Sequence, residues 1–180
     1  MQVARTRAEL ADALADPGAR GETVGLVPTM GFLHEGHLSL VDRARELSGV
    51  VVASIFVNPL QFAPTEDLAT YSRDEARDLT LLEAREADLV FTPSVDEMYP
   101  DGQTAVTVDP GALEEKLCGA FRPGHFRGVL TVVAKLFGLV RPDVAVFGLK
   151  DFQQLVLIRR MVRDLELGVR VEGGAIVREP

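Results

Sequence analysis

The run Val50–Val57 (VVVASIFV) is the feature that most limits what this chain can fold into. Continuous, β-branched and uncharged, it reads as a strand buried on both faces, the mark of a parallel sheet covered by helices on each side. Thr23–Val27 reads as a second buried strand ending at Pro28. Leu89–Phe91 and Val144–Phe147 read as two more, and Val169–Val171 begins a last one that resumes at Ala175–Val177. Between them, His37–Ser48 carries Leu38, Leu40, Val41, Ala44 and Leu47 at helical spacing. Ser72–Glu86 reads as a helix with Ser72 and Glu75 as a capping box, and Val129–Val140 and Asp151–Leu165 as two further helices. A short amphipathic helix is expected around Ala8–Ala15 and a short edge strand at Ala105–Val108. Strand alternating with helix over 180 residues predicts an α/β fold, one domain spanning 1–180 with a Rossmann-like doubly wound parallel sheet. The end, Arg178-Glu179-Pro180, has no capping element and is expected to mark a domain boundary.

Composition removes several classes of function. A formal net charge of −8 repels a phosphate backbone, so nucleic acid is not the expected partner. No apolar run reaches the roughly 18 residues that span a bilayer, so no membrane partner is expected. The segment Met1–Arg20 mixes Arg, Glu and Asp without an apolar core and is no secretory signal. Cys118 is the only cysteine, which excludes an internal disulfide and fits a reducing, cytoplasmic setting. It is expected to be a half-buried structural thiol.

In an open α/β sheet, ligands bind outside the carboxyl ends of the strands. Three such ends carry unusual polar residues. After the first comes Pro28-Thr29-Met30-Gly31-Phe32-Leu33-His34-Glu35-Gly36-His37. Here two histidines three apart share one side of a helix's first turn, where free N–H groups favour an anion, and Gly36 admits a ligand close to the backbone. Donors fixed there would lower the barrier to attack at phosphorus. A bound metal is a weaker reading, because no third zinc-type ligand is evident.

After Val57 come Asn58-Pro59-Leu60-Gln61, whose amides either bind a small polar substrate or only make a turn. After Phe147 come Gly148-Leu149-Lys150-Asp151, with Gln154 one turn on. Lys150 can supply positive charge to phosphates, though taken alone it reads as a solvated surface lysine. Asp151 and Gln154 form a structural capping box, or hold the nucleotide or its metal and the acid substrate respectively, or do both. The basic segment Arg122–Gly128 is either an anion contact or a solvated turn. The acidic stretch Glu66–Glu86 is expected to be an exposed helix face, and Asp78 and Asp88 are expected to be solvated rather than bound to magnesium.

The Pro28–His37 segment resembles the signature of pantothenate synthetases, members of the HxGH nucleotidyltransferase superfamily. The likeness continues through Ser54–Phe62, Arg122–Val129 and Phe147–Leu155 and covers nearly the whole chain. The resemblance implies a ligase that condenses pantoate with β-alanine at the expense of ATP, through pantoyl adenylate, with Mg2+ accompanying the ATP. It implies that Met30, Gly31, Phe32, Leu33, His34, Glu35, Gly36 and His37 line the nucleotide, with His34 and His37 on the phosphates and His37 the proton donor. Gly148, Leu149, Lys150 and Asp151 would serve ATP, with Lys150 also catalytic, and Val177 would touch adenine. Gln61 and Gln154 would bind pantoate, and Pro28, Met30, Val132, Val133 and Phe147 would wall its two methyl groups. Gln61 and Asn58 would face β-alanine. The metal's ligands stay unassigned.

Two residues depart from the family pattern: Phe32 replaces a small residue and is expected to narrow the nucleotide cleft, and Leu149 replaces a polar one. Family members are usually homodimers through this domain, which implies a dimer here, and they continue past Arg178-Glu179 into a serine- and arginine-bearing phosphate clamp and a lid domain. Without these, the chain is expected to bind weakly and turn over poorly. The competing readings are another HxGH adenylyltransferase, which keeps the nucleotide in its product, and a binding module without chemistry.

Overall fold

The computed structural model describes residues 1–62, 71–102 and 104–178. Six strands form one parallel sheet in the order β1-β4-β3-β2-β5-β6. They are β1 (Gln2–Ala4), β2 (Val24–Thr29), β3 (Val50–Ile55), β4 (Leu89–Phe91), β5 (Val144–Gly148) and β6 (Arg170–Gly174). The helices are α1 (Arg7–Ala19), α2 (Glu35–Leu47), α3 (Glu75–Ala84), α4 (Val95–Met98), α5 (His125–Val140) and α6 (Phe152–Asp164).

Each central strand divides its side chains between two cores. Leu26, Val52 and Phe147 face a core built with α1, α5 and α6. Val27, Val51 and Val146 face a second core built with α2 and α3. Burial on both faces is why the strands read as unbroken apolar runs.

From β2 the chain winds outward to β3 and β4, then returns to add β5 and β6 on the other side of β2. The β2–β5 junction is therefore the topological switch point, and a crevice opens at its carboxyl end. Val24 and Asp143 pin that junction: Val24 donates its N–H to Asp143 Oδ2 at 2.7 Å, and Asp143 returns its own to Val24 O at 2.9 Å.

Several boundaries differ from the sequence reading. β2 runs through Pro28 to Thr29, because β3 pairs with it as far as Thr29, while β5 pairs with it only at Gly25 and Leu26. Pro28 lies past the last bridge on that side, and its missing N–H breaks no ladder. Ala105–Val108 forms no strand, and Val106 is 82% exposed. α3 starts at Glu75 with Asp74 as its cap, accepting the Arg77 N–H at 3.1 Å, so Ser72 makes no capping box. α5 begins at His125, four residues before the apolar run, because His125, Phe126 and Gly128 pack inward. β6 ends at Gly174, and Ala175–Val177 lie outside it. The part of the acidic stretch at 66–70 lies outside the described residues.

Candidate functional site

The loop after β2 is held by side chains of β2 and α3 and by a backbone carbonyl of β3. Thr29 Oγ1 accepts the Gly31 N–H at 3.2 Å and donates to Ser54 O on β3 at 2.7 Å. Gly31 (φ 82°) and Phe32 (φ 52°) are both left-handed. Asp78 of α3, 1% exposed, accepts the Phe32 and Leu33 N–H groups, each at 2.7 Å. The expectation of a solvated Asp78 is thus overturned: its oxygens replace water with backbone donors. Asp88 accepts the Val51 N–H at 2.7 Å and pairs with Arg45 at 2.6 Å.

His34 caps α2. Its Nδ1 accepts the Gly36 N–H at 3.1 Å, which leaves Nε2 to carry the ring's N–H outward. A β-carbon at position 36 would stand 2.9 Å from the His34 ring. Gly36 therefore makes room first for the neighbouring imidazole. The His34 and His37 rings lie 4.1 Å apart between centroids. His37 is half-buried, and its Nδ1 is buried with no partner among the described residues. Burial, and then the nearby His34 and Lys150, push its pKa down to about 4, against smaller upward pulls from Asp78 and Asp151. At neutral pH its ring is uncharged.

At the end of β5, Leu149–Asp151 form a 3-10 turn leading into α6. Asp151 occupies the N-cap position without a side-chain capping bond, so the expected Asp151–Gln154 box does not form. The carboxylate is exposed. Lys150 is exposed beside it, and Leu149 packs against Gly173 of β6, where a β-carbon would stand 3.1 Å from Leu149 Cδ2.

The third strand end is a buried network. Asn58, 1% exposed, donates to Gln61 Oε1 and to Gly128 O, both at 3.1 Å. Its Oδ1 accepts from Tyr99 OH at 2.9 Å and from the Leu60 N–H at 3.3 Å. All four hydrogen-bond sites of this amide are used inside the protein. Gln61 Nε2 also reaches Met30 Sδ at 3.1 Å. The Arg122–Gly128 segment is no solvated turn. Arg122 Nη1 donates to His125 Nε2 at 3.1 Å, and His125 Nδ1 donates to Gln61 O at 2.8 Å. Arg127 pairs with Asp109 at 2.6 Å.

These pieces enclose two adjoining cavities. One, of about 150 Å³, is lined by Pro28, Met30, Asn58, Gln61, Val132, Val133 and Phe147, together with Asp151 and Gln154. The other, of about 130 Å³, is lined by His34, Gly36, Gly148, Lys150 and Val177. Pro28, His37, Phe147, Asp151 and Gln154 border both. The first offers an apolar wall with amides. The second offers a cation, N–H donors and a helix N-terminus, a combination suited to a polyanion.

Some expected residues stand apart. Leu33 is buried in the core under α2, and Phe32 is exposed with the Arg77 guanidinium 5.8 Å from its ring centre. Gly31 lines neither cavity, and Glu35 is paired with Arg85 at 2.7 Å. Sequence reasoning missed Thr29, Phe56, Tyr71, Val129 and Leu136 in the first cavity and Leu40, Ala175 and Ile176 in the second. Val129 and Leu136 could have been found, since they stand at helical spacing from Val132 and Val133. Burial, and then Asp78, raise the Tyr71 pKa. Cys118 is exposed rather than half-buried, because its turn lies on the surface, where it donates to Gln153 Oε1 at 3.0 Å. Among the described residues no group of His, Cys, Asp and Glu could by itself hold a metal ion, and no helix is long and apolar enough to cross a membrane.

A family model described as pantoate-beta-alanine ligase matches residues 2–180. A pantothenate synthetase from Nocardioides sp. is 63% identical over 183 residues, which cover 98% of this chain and 55% of the relative. One from Methylococcus capsulatus is 54% identical, with 100% of this chain and 63% of the relative covered. Among solved structures, pantothenate synthetase from Thermus thermophilus superposes with a TM-score of 0.92 at 56% identity, over 99% of this chain and 63% of that one. Pantoate-beta-alanine ligase from Francisella tularensis, complexed with beta-gamma ATP and beta-alanine, gives 0.94 at 36% identity, over 100% and 69%. The chain spans 55% to 63% of the length of these two curated relatives. Matched along the whole sheet and through all three strand-end segments, it belongs to the pantoate–β-alanine ligase family.

Proposed function

We propose that these residues form one Rossmann-like domain that binds ATP and pantoate for the ATP-dependent synthesis of pantothenate. The observation that carries this reading is the pair of cavities meeting at His37, Asp151 and Gln154. An apolar chamber with amide donors suits a small branched hydroxy acid, and the chamber beside it suits a triphosphate. In the reaction, a pantoate carboxylate oxygen attacks the α-phosphorus of ATP, and the bond to the bridging oxygen breaks to release pyrophosphate. The β-alanine amine then attacks the acyl carbon of the pantoyl adenylate, AMP leaves, and the amine loses a proton.

In this reading Gln154 and Gln61 hold the pantoate, and Pro28, Met30, Val132, Val133 and Phe147 pack on its methyl groups. Asn58, whose own capacity is used, orients Gln61 toward pantoate and β-alanine. His34, His37 and Lys150 face the phosphates of ATP, and Gly36, Gly148 and Val177 border the nucleotide. Glu35, Gly31, Phe32, Leu33 and Leu149 support that border from outside. Neutral His37 acts as an N–H donor to phosphate oxygen, and the arriving negative charge raises its proton affinity. Alignment of carboxylate and phosphorus contributes up to roughly 7–11 kcal/mol. Mg2+ would accompany ATP, and the exposed carboxylate of Asp151 would supply it one ligand beside phosphate oxygens and water, so that the ion would neutralise charge on the phosphates.

A homodimer through this domain is proposed, to which Leu117, Phe121, Phe152 and Val156 offer exposed apolar side chains. Gln153 ties the turn that carries Leu117 to α6 by donating to Lys116 O at 2.6 Å. Turnover is proposed for the whole protein.

The test is calorimetric titration of the chain with an unreactive pantoyl-adenylate analogue. One-to-one binding that is lost in Gln154→Ala supports the reading, and no binding by a folded sample refutes it for this domain.

A further inference from the structure

Asp78 is a carboxylate with 1% exposure, and it lines neither of the two cavities. A buried charge is costly unless its oxygens are met by donors. Here the donors are the N–H groups of Phe32 and Leu33, both at 2.7 Å, with Arg77 Nη1 3.8 Å from Oδ1. Arg77 also donates to Leu33 O at 2.9 Å, closing the same loop from its carbonyl side.

The loop needs such a hold. Phe32 is left-handed at φ 52°, a conformation in which its β-carbon crowds the following carbonyl oxygen. Gly31 precedes it at φ 82°, and a β-carbon there would stand 3.0 Å from Asp78 Oδ2. Glycine thus admits the carboxylate, and the carboxylate fixes the strained residue that follows. One residue beyond Leu33, His34 begins the cap of α2.

We infer that Asp78 is a positioning residue: by accepting the Phe32 and Leu33 N–H groups its carboxylate holds the left-handed Gly31–Phe32 turn and thereby sets where His34 and His37 stand. It acts through the loop and touches no substrate. The functional half of this inference rests on the nucleotide reading above, and the structural half does not.

The test is Asp78→Asn, alone and combined with Phe32→Gly. Asparagine keeps the size but points an NH2 at one of the two amides it must accept from. Glycine at 32 is left-handed at no steric cost and needs the carboxylate less. In Asp78→Asn, amide exchange at Phe32 and Leu33 quickens by about tenfold or more, as expected for losing a bond to a charged group. The His34 and His37 ring resonances shift, amides in the middle of α6 do not change, and affinity for the ATP analogue AMP-PCP falls about tenfold. Adding Phe32→Gly returns the ring resonances toward those of the parent and restores most of the affinity. Unchanged exchange and ring resonances in Asp78→Asn overturn the inference. So does a loss that Phe32→Gly leaves uncorrected, including a chain unfolded in both variants. If the parent itself does not bind AMP-PCP, the nucleotide reading fails, while exchange and ring resonances still decide the role of Asp78.

Discussion

The imidazole of His34 folds back over Gly36, taking its N–H on Nδ1 at 3.1 Å in the space where a β-carbon would stand. Gly36→Ala must therefore displace the ring. The lost cap costs about 1 kcal/mol, and alanine returns up to about 1 kcal/mol of helix propensity. The two offset, so the melting temperature should scarcely move. Affinity for AMP-PCP should fall about tenfold, the equivalent of one hydrogen bond to a charged phosphate. Calorimetry beside a thermal melt separates the two effects.

His37 should titrate near 4 in an NMR experiment following its ring protons. Its pKa is lowered on folding, so the unfolded chain binds more protons between about 6.5 and 4. Its contribution to stability is complete above 6.5 and declines as pH falls through that window. Lys150→Met removes one of the charges that depress it and should raise the midpoint. Saturating AMP-PCP should raise it further. A midpoint indifferent to both would mean that neither Lys150 nor the nucleotide lies close to the ring.

Asn58→Ala leaves Tyr99 OH and Gly128 O without their partner in a buried place. Each orphaned group costs about 1–3 kcal/mol, so urea denaturation should register a loss of about 2–4 kcal/mol. Tyr99, whose pKa burial pushes up to about 12, should then titrate lower as water enters. Loss of analogue binding at temperatures where the variant stays folded would identify Gln61 as the group displaced.

Gly128→Ala tests the contact between α5 and the Asn58–Gln61 turn. A β-carbon there would stand 2.6 Å from Gln61 N and closer still to the Leu60 carbonyl. Backbone cannot give way as a side-chain tip can, so the expected cost is about 3 kcal/mol. Tolerance of this change, shown by an unaltered denaturation midpoint, would mean that the turn can move and that Gln61 is not rigidly held.

The sequence carries some of this arrangement and hides the rest, for identifiable reasons. The β3 run is legible because two cores claim alternate residues and leave no polar position along most of the strand. The strand ends at His34, Gln61 and Lys150 are legible because polar groups interrupt apolar runs at one edge of the sheet. β1 is not, since a three-residue strand with an exposed first residue has no periodicity to read. Ala105–Val108 misleads, because its alternation of apolar residues ends in an exposed Val106 instead of a sheet. Asp78 escapes altogether: its partners are backbone amides 45 and 46 positions away, and an amide has no residue type. Asp151 with Gln154 looks like a cap from spacing alone, yet the preceding 3-10 turn leaves the carboxylate free.

The mutual hydrogen bonds of Val24 and Asp143 join positions 119 apart in the chain. Both cavities lie across that seam, so neither exists until β5 has docked beside β2. During synthesis, the His34–His37 helix start is made long before the strand that completes its pocket. Closing so long a loop is slow relative to local helix formation, so a partly folded chain presents the histidines with no pocket behind them. A ligand that bridges the seam can bind only the finished domain. It therefore acts as a clasp, suppressing the openings in which β5 and α6 detach while leaving the fraying of β1 at the far edge as frequent as before.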